Sequence, residues 1–234
     1  MSDARQLRRI GLIGGIGWPS TRDYYVQLNQ AVARRAGGLR GADLVLRSLD
    51  FDAVLQAADR PGAVEDIFGA AAHELQAAGA RVLGVCANTG HLFCAGLRAQ
   101  QSMEFIGMDD ALGDALAAAQ VEEAFLLGTR RLLRSPLFPQ ALAARGVRAR
   151  LPGEALQDQL DQAIFAELEH GVVGPLSLAA MEAVARELAA EGARHVVLAC
   201  TELPPAVAAR PLPFTLWDTL QLHTDALVEA AFRG

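Results

Sequence analysis

Gly79-Ala80-Arg81-Val82-Leu83-Gly84-Val85-Cys86-Ala87-Asn88-Thr89-Gly90 and Gly192-Ala193-Arg194-His195-Val196-Val197-Leu198-Ala199-Cys200-Thr201-Glu202-Leu203 are two versions of one segment. Each is a Gly-Ala-Arg turn, a short apolar run, then small and polar residues where the run stops. They lie 113 residues apart in a chain of 234. Short apolar runs bounded by turn residues read as buried parallel strands. A repeat at about half the chain length predicts an α/β protein with two similar parallel-sheet lobes related by a pseudo-twofold. In open parallel sheets ligands bind beyond the carboxyl ends of the strands. Both repeats finish at such an end, so the interlobe cleft is the expected site. At the 113-residue offset Cys200 falls opposite Ala87, and only one of the two strand ends carries a thiol there.

Outward from the repeat, apolar runs alternate with amphipathic stretches, as parallel α/β units require. The pattern predicts strands over 9–14, 43–48, 81–86, 105–106, 123–127, 147–150, 195–199 and 214–216. It predicts helices over 20–36, 63–78, 110–119, 136–144, 157–170, 176–190, 204–208 and 219–232. Glycines mark the expected helix stops, among them Gly79, Gly146, Gly171 and Gly192. Residues 1–108 are read as the first lobe and 109–208 as the second. The last strand and helix, over 209–234, are expected to return to the first lobe.

Composition narrows the chemistry. Net charge is −6 and the basic residues are scattered, so no nucleic-acid partner is expected. No apolar run approaches the ~20 residues of a membrane helix. The polar start of the chain lacks a signal-peptide segment, and a cytoplasmic protein without membrane attachment is expected. All 21 basic residues are arginine. Without lysine there is no Schiff-base anchor for pyridoxal phosphate or for an aldolase, and no Walker-type phosphate loop. Three cysteines without zinc-type spacing predict neither a metal site nor a disulfide framework.

Gly14-Gly15-Ile16-Gly17 follows a strand and opens a helix, but Ser20 stands where a dinucleotide fingerprint needs glycine. The loop, Gly15 included, is either an anion-binding turn or a plain tight turn. Trp18 is either a pocket wall or core, and Ser20 or Thr21 is the expected cap. Asp50, after Ser48, is read as a ligand for an ammonium group or as a helix cap. Asn88 and Thr89 suit a carboxylate, or alternatively an Asx or ST turn. His91 either orients a thiol or caps a helix. Strand alternation turns Cys86 away from the face of Ala87 and makes it a buried structural cysteine, and Cys94 is packing. Gly128-Thr129 offers a donor loop. Cys200-Thr201-Glu202 is the strongest site, because a helix N-terminus is expected to lower the thiol pKa.

These motifs together resemble the Asp/Glu/hydantoin racemase family, along the whole chain. The resemblance rests on Gly14-Gly15-Ile16-Gly17, Ala87-Asn88-Thr89-Gly90-His91, Leu127-Gly128-Thr129, Ile164 to Leu168, and Ala199-Cys200-Thr201-Glu202. It is closest to the branch with Ser-x-Asp-Phe, here Ser48-Leu49-Asp50-Phe51. The resemblance implies a two-lobed homodimer that needs no cofactor or metal and acts on a small carboxylate or amino acid. It implies one acid/base residue per lobe, Cys200 in the second and, in relatives, Cys or Thr in the first. It places Gly15, Ser48, Asp50, Ala87, Asn88, Thr89, Thr129, Thr201 and Glu202 around the substrate. Ala87 cannot carry a proton, so the family's two-sided proton exchange lacks one partner here.

Three readings follow. The first is a cofactor-independent racemase-like isomerase with Cys200 as the acid/base at Cα. The second is a one-thiol lyase or decarboxylase, like the arylmalonate decarboxylases, which look like relatives that keep only the second-half cysteine. The third is a non-catalytic binder of an amino acid or dicarboxylate.

Overall fold

The computed structural model describes residues 7–99 and 102–233, so positions 1–6 of the polar N-terminal stretch lie outside the described residues. It divides into two compact units, Met1–Gly107 with His223–Gly234, and Met108–Leu222. Each is built on a four-stranded, all-parallel sheet.

The first sheet runs β2 (Leu44–Ser48), β1 (Ile10–Gly14), β3 (Val82–Val85), β4 (Glu104–Phe105). The second runs β6 (Arg148–Arg150), β5 (Glu123–Leu127), β7 (His195–Leu198), β8 (Thr215–Asp218). The repeat is therefore structural. β1 and β5 begin 113 residues apart, as do β3 and β7, and each pair holds the same place in its sheet. The central strands are buried almost throughout, while edge strand β2 is exposed at Leu46, Arg47 and Ser48.

In the first unit Ile13, Leu83, Val85 and Ala87 pack in one cluster with Phe68, Ala71, Ala72 and Leu75. The latter four come from α3 (Ala63–Ala77). The opposite face of β3 meets the C-terminal helix α11 (Thr219–Phe232): a Cβ placed on Gly84 would lie 3.0 Å from Leu227. α1 (Trp18–Ala36) joins α11 through Tyr24, whose hydroxyl donates to His223 Nδ1 at 2.5 Å. His223 Nε2–H in turn donates to the Ile106 carbonyl at 2.8 Å, which fixes the tautomer. Burial holds this ring neutral, with its pKa pulled down to about 3.

In the second unit Phe125, Leu127, Val196, Leu198 and Cys200 form one core. They pack with α8 (Glu154–Ala166), α9 (Pro175–Ala190) and α10 (Leu203–Ala209). α8 stops sooner than its apolar pattern predicts. The carboxylate of Glu167 leaves the helix line to accept from the backbone N–H groups of Gly174, Leu176 and Ser177, the start of α9.

One assignment is corrected. The last strand does not return to the first unit, because β8 pairs along its length with β7 in the second sheet. Only the chain from His223 onward belongs to the first unit, and the division runs inside α11. Burial explains this: Leu227, Val228, Ala230 and Ala231 are core residues that need the bare face of the first sheet. Three short helices lie outside the predicted spans, α2 (Phe51–Ala57), α4 (Ala95–Ala99) and α6 (Arg130–Leu133), while α5 (Met108–Ala118) and α7 (Leu137–Ala143) lie where helices are predicted.

Candidate active site

The end of β3 keeps its strand geometry for one residue more, since Cys86 N donates to the Ile13 carbonyl at 2.8 Å. Ala199 N does the same toward Leu127 at 2.7 Å, at the matching position of the repeat. Ala87 and Cys200 come next, each on its own sheet's helix-packed face with the alternate strand residues before it. Cys86 is fully buried and lies outside the cluster that holds Ala87, as alternation requires. Burial pushes its thiol far above the ordinary range, so it stays protonated. Cys86→Ala is therefore expected to cost about 1–3 kcal/mol of stability and to leave any catalysis unchanged. Denaturant unfolding alongside a turnover assay checks both halves of that expectation.

The turn after Ala87 is held from within. His91 Nδ1–H donates to the Ala87 carbonyl at 2.8 Å, so this ring fixes the turn's backbone. Asn88 and His91 are buried there. Cys94 packs beneath, with its thiol donating to the Gly90 carbonyl at 3.3 Å. The Gly15 loop packs against the end of β2. A Cβ on Gly15 would stand 2.1 Å from the Leu49 carbonyl oxygen, and φ is +85°, so only glycine fits. Gly15 N donates to Thr21 Oγ1 at 2.8 Å. Thr21 thus ties the loop from inside α1 rather than capping it, and the helix starts already at Trp18. Trp18 is neither core nor buried wall within its unit: it is 60% exposed, with the Arg22 guanidinium over its ring. Ser48 ends β2, and Asp50 accepts from Asp52 N at 3.0 Å as the cap of α2.

In the second unit Thr129 caps α6 by accepting from Leu132 N at 3.4 Å. Cys200, Thr201 and Glu202 form a closed group. The Cys200 thiol donates to Glu202 Oε2 at 3.2 Å, and Thr201 Oγ1 donates to the same oxygen at 2.8 Å. All three side chains are buried. The helix N-terminus does not win here. Burial raises the thiol pKa well above its ordinary value, and the charges of Glu202 and Glu169 add to the rise. The N–H of Glu202 opposes them and is outweighed. Cys200 therefore rests as a thiol with its proton already aimed at a carboxylate.

Glu169 had no sequence signal. It sits on a 3₁₀ turn, Leu168–His170, where the pattern predicts continuous helix. Burial, and after it the neighbouring Glu202, pushes its carboxyl up to about 8. A carboxyl that binds its proton more tightly folded than unfolded makes stability fall as pH rises from about 4.5 to about 8. Glu169→Gln removes that penalty. Its unfolding free energy is expected to exceed wild type at pH 8 and to fall less steeply across this window, as denaturant titrations at pH 5 and pH 8 will show.

Among the described residues no group of three or more His, Cys, Asp or Glu side chains is placed to hold a metal ion. No described helix is long and apolar enough to cross a membrane.

The family profile described as Asp/Glu/hydantoin racemase matches residues 13–227. The chain belongs to the Asp/Glu/hydantoin racemase family. Solved relatives agree with that placement. A candidate Asp/Glu racemase from Yersinia pestis is 29% identical, with a TM-score of 0.87 over 97% of this chain and 100% of that one. An aspartate racemase homologue from Pyrococcus horikoshii is 26% identical, with a TM-score of 0.83 over the same shares. The Picrophilus torridus aspartate racemase shares the fold at 18% identity, with a TM-score of 0.74 over 96% of this chain and 94% of that one. This member of the racemase family thus has the family's two parallel α/β units. Its second-half Cys-Thr-Glu segment is a hydrogen-bonded group, and alanine stands at the repeat-matched position of the first half.

Proposed function

We propose that this family member is a cofactor-independent, racemase-like enzyme that moves a proton at Cα of a small amino acid, with Cys200 as its acid/base residue. The observation that carries the reading is the Cys200–Glu202 hydrogen bond at 3.2 Å. Transfer of the thiol proton to Glu202 leaves a thiolate and a carboxylic acid. The thiolate takes the Cα proton, becoming a thiol again, and the substrate holds the electron pair as a carbanion beside its carboxylate. Water on the other face returns a proton to that carbon, and the hydroxide left behind takes the proton from Glu202, which restores the thiol and the carboxylate. Gly15, Ser48, Asp50, Asn88, Thr89, Thr129 and Thr201 are assigned to substrate binding, the hydroxyl and amide groups to the carboxylate. Water serves the face that Ala87 leaves without a protein acid. A positioned acid or base contributes about 10²–10⁴-fold, so racemisation through water is slow by that margin.

A second reading has its own support. A thiol that rests protonated, with no proton-carrying group at position 87, suits one-sided delivery of a proton to a carbanion made by another bond cleavage, such as loss of CO₂ from a substituted malonate. One experiment separates the two. Proton NMR in D₂O with a panel of amino acids and malonates follows Cα–H. Exchange in both enantiomers establishes the racemase. Label in a single enantiomer, or in a decarboxylated product alone, establishes the one-thiol enzyme. No exchange with any substrate overturns both and leaves a binding protein.

A further inference from the structure

The outer edge of the first sheet is β2, and its backbone faces a vacant side. Ile10 N donates to the Asp43 carbonyl and Leu49 N to the Gly14 carbonyl, each at 2.9 Å. Backbone groups alternate along a strand, so Val45 and Arg47 also bond toward β1, whereas Leu44 and Leu46 aim their N–H and C=O groups outward. Among the described residues no strand pairs with that edge. Such a row of unpaired groups is a template for another strand, and natural proteins guard it with edge charges. Here the guard is turned aside. The Arg47 guanidinium folds back to Glu74 of α3 at 2.7 Å and to the Ser48 carbonyl at 2.8 Å.

An apolar flank runs beside this edge. A Cβ on Gly14 would meet both Thr21 of α1 and Leu46, so Leu46 lies on the α1 face of the sheet. On α1, Trp18, Tyr25 and Asn29 share one stripe, at i, i+7 and i+11. Asn29 accepts from Ala42 N at 3.0 Å, just before β2, so the stripe faces the β2 side. Tyr25 is 55% exposed, Leu46 44%, and Leu39, in the loop between α1 and β2, is fully exposed. Aromatic side chains offer about 150–250 Å² each, so these two leucines with Trp18 and Tyr25 supply roughly half of the ~800 Å² that each partner buries in a stable interface. Charge then selects the occupant. Arg40 and Asp52 stand six residues to either side of Leu46, both exposed, and neither makes an ion pair among the described residues. An antiparallel copy of the same edge sets each Arg40 beside an Asp52, whereas a parallel one sets like charges together.

We propose that a second copy of this chain docks on this edge, β2 against β2, antiparallel about a two-fold axis at Leu46, so that two four-stranded sheets become one. The interface is independent of the Cys200 chemistry. Sedimentation of the intact protein from about 0.1 to 100 µM is expected to show a dimer. Tyr25→Glu and Leu46→Arg should each raise its dissociation constant about tenfold or more. Val172→Glu, at an exposed apolar residue of the second unit, should leave it unchanged. Arg40→Glu and Asp52→Arg should each weaken the dimer about three- to tenfold, and the double variant, which restores opposite charges, should regain most of that loss. Leu46→Cys tests the axis. Opposed residues of antiparallel strands lie about 5.5 Å apart at Cα, within disulfide reach, so mild oxidation should join two chains. Cys86, Cys94 and Cys200 are buried and should not do so in the wild type. Melting curves confirm that the variants are folded. The proposal is overturned if the protein is a monomer throughout, if Val172→Glu dissociates the dimer while Tyr25→Glu does not, or if the double charge reversal regains nothing and Leu46→Cys forms no link.

Discussion

Cys200→Ala is expected to abolish Cα proton exchange in D₂O, a loss of about 10²–10⁴-fold or more. Neither remaining thiol can replace it. Cys86 is fully buried on the other face of its strand, and Cys94 spends its proton on the Gly90 carbonyl. Cys200→Ser should fail nearly as completely, because a hydroxyl is a far weaker acid than a thiol. Folding should survive in both variants. Cys200 is one member of a large core, and Thr201 still donates to Glu202. Exchange that persists in Cys200→Ala, with unfolding free energy unchanged, would remove the thiol from the mechanism.

Ala87→Cys is expected to do the opposite and raise racemisation, by up to about 10²–10⁴-fold if the new thiol serves the second face. Ala87 occupies the repeat position of Cys200, two residues past the end of β3, just as Cys200 lies two past the end of β7. The substitution carries a steric cost. Ala87 is packed with Leu83 and Val85, and one added atom in a close-packed core costs about 1–3 kcal/mol. The assay therefore pairs circular dichroism of both enantiomers with a melting curve. Gain of two-sided exchange supports the reading that Ala87 limits this protein. If Ala87→Cys folds well and gains nothing while Cys86→Ala loses activity, Cys86 is the second base.

Much of this was legible because the repeat carries position as well as composition. Two strand pairs keep a common 113-residue offset, and alternation within β3 separates Cys86 from Ala87 without any coordinates. Other features depend on contacts distant in sequence. Nothing around Glu169 signals that it will stand half-buried beside Glu202, so the thiol's protonated state was hidden, and a local rule about helix ends points in the wrong direction. α2 and α6 are seven and four residues long, too short for a periodic pattern. The home of β8 is decided by pairing with β7, which local apolar pattern does not encode.

The division inside α11 imposes an order of assembly during synthesis. The second unit is one continuous stretch and can close as soon as Leu222 has left the ribosome. The first unit precedes it in the chain yet waits for the segment after it, because His223 and Leu227 cover Gly84 on the face of β3. Nascent chains usually fold domain by domain from the N-terminus. Here the domain begun first is completed second, and until residues 223–232 have emerged one face of its central sheet stays uncovered.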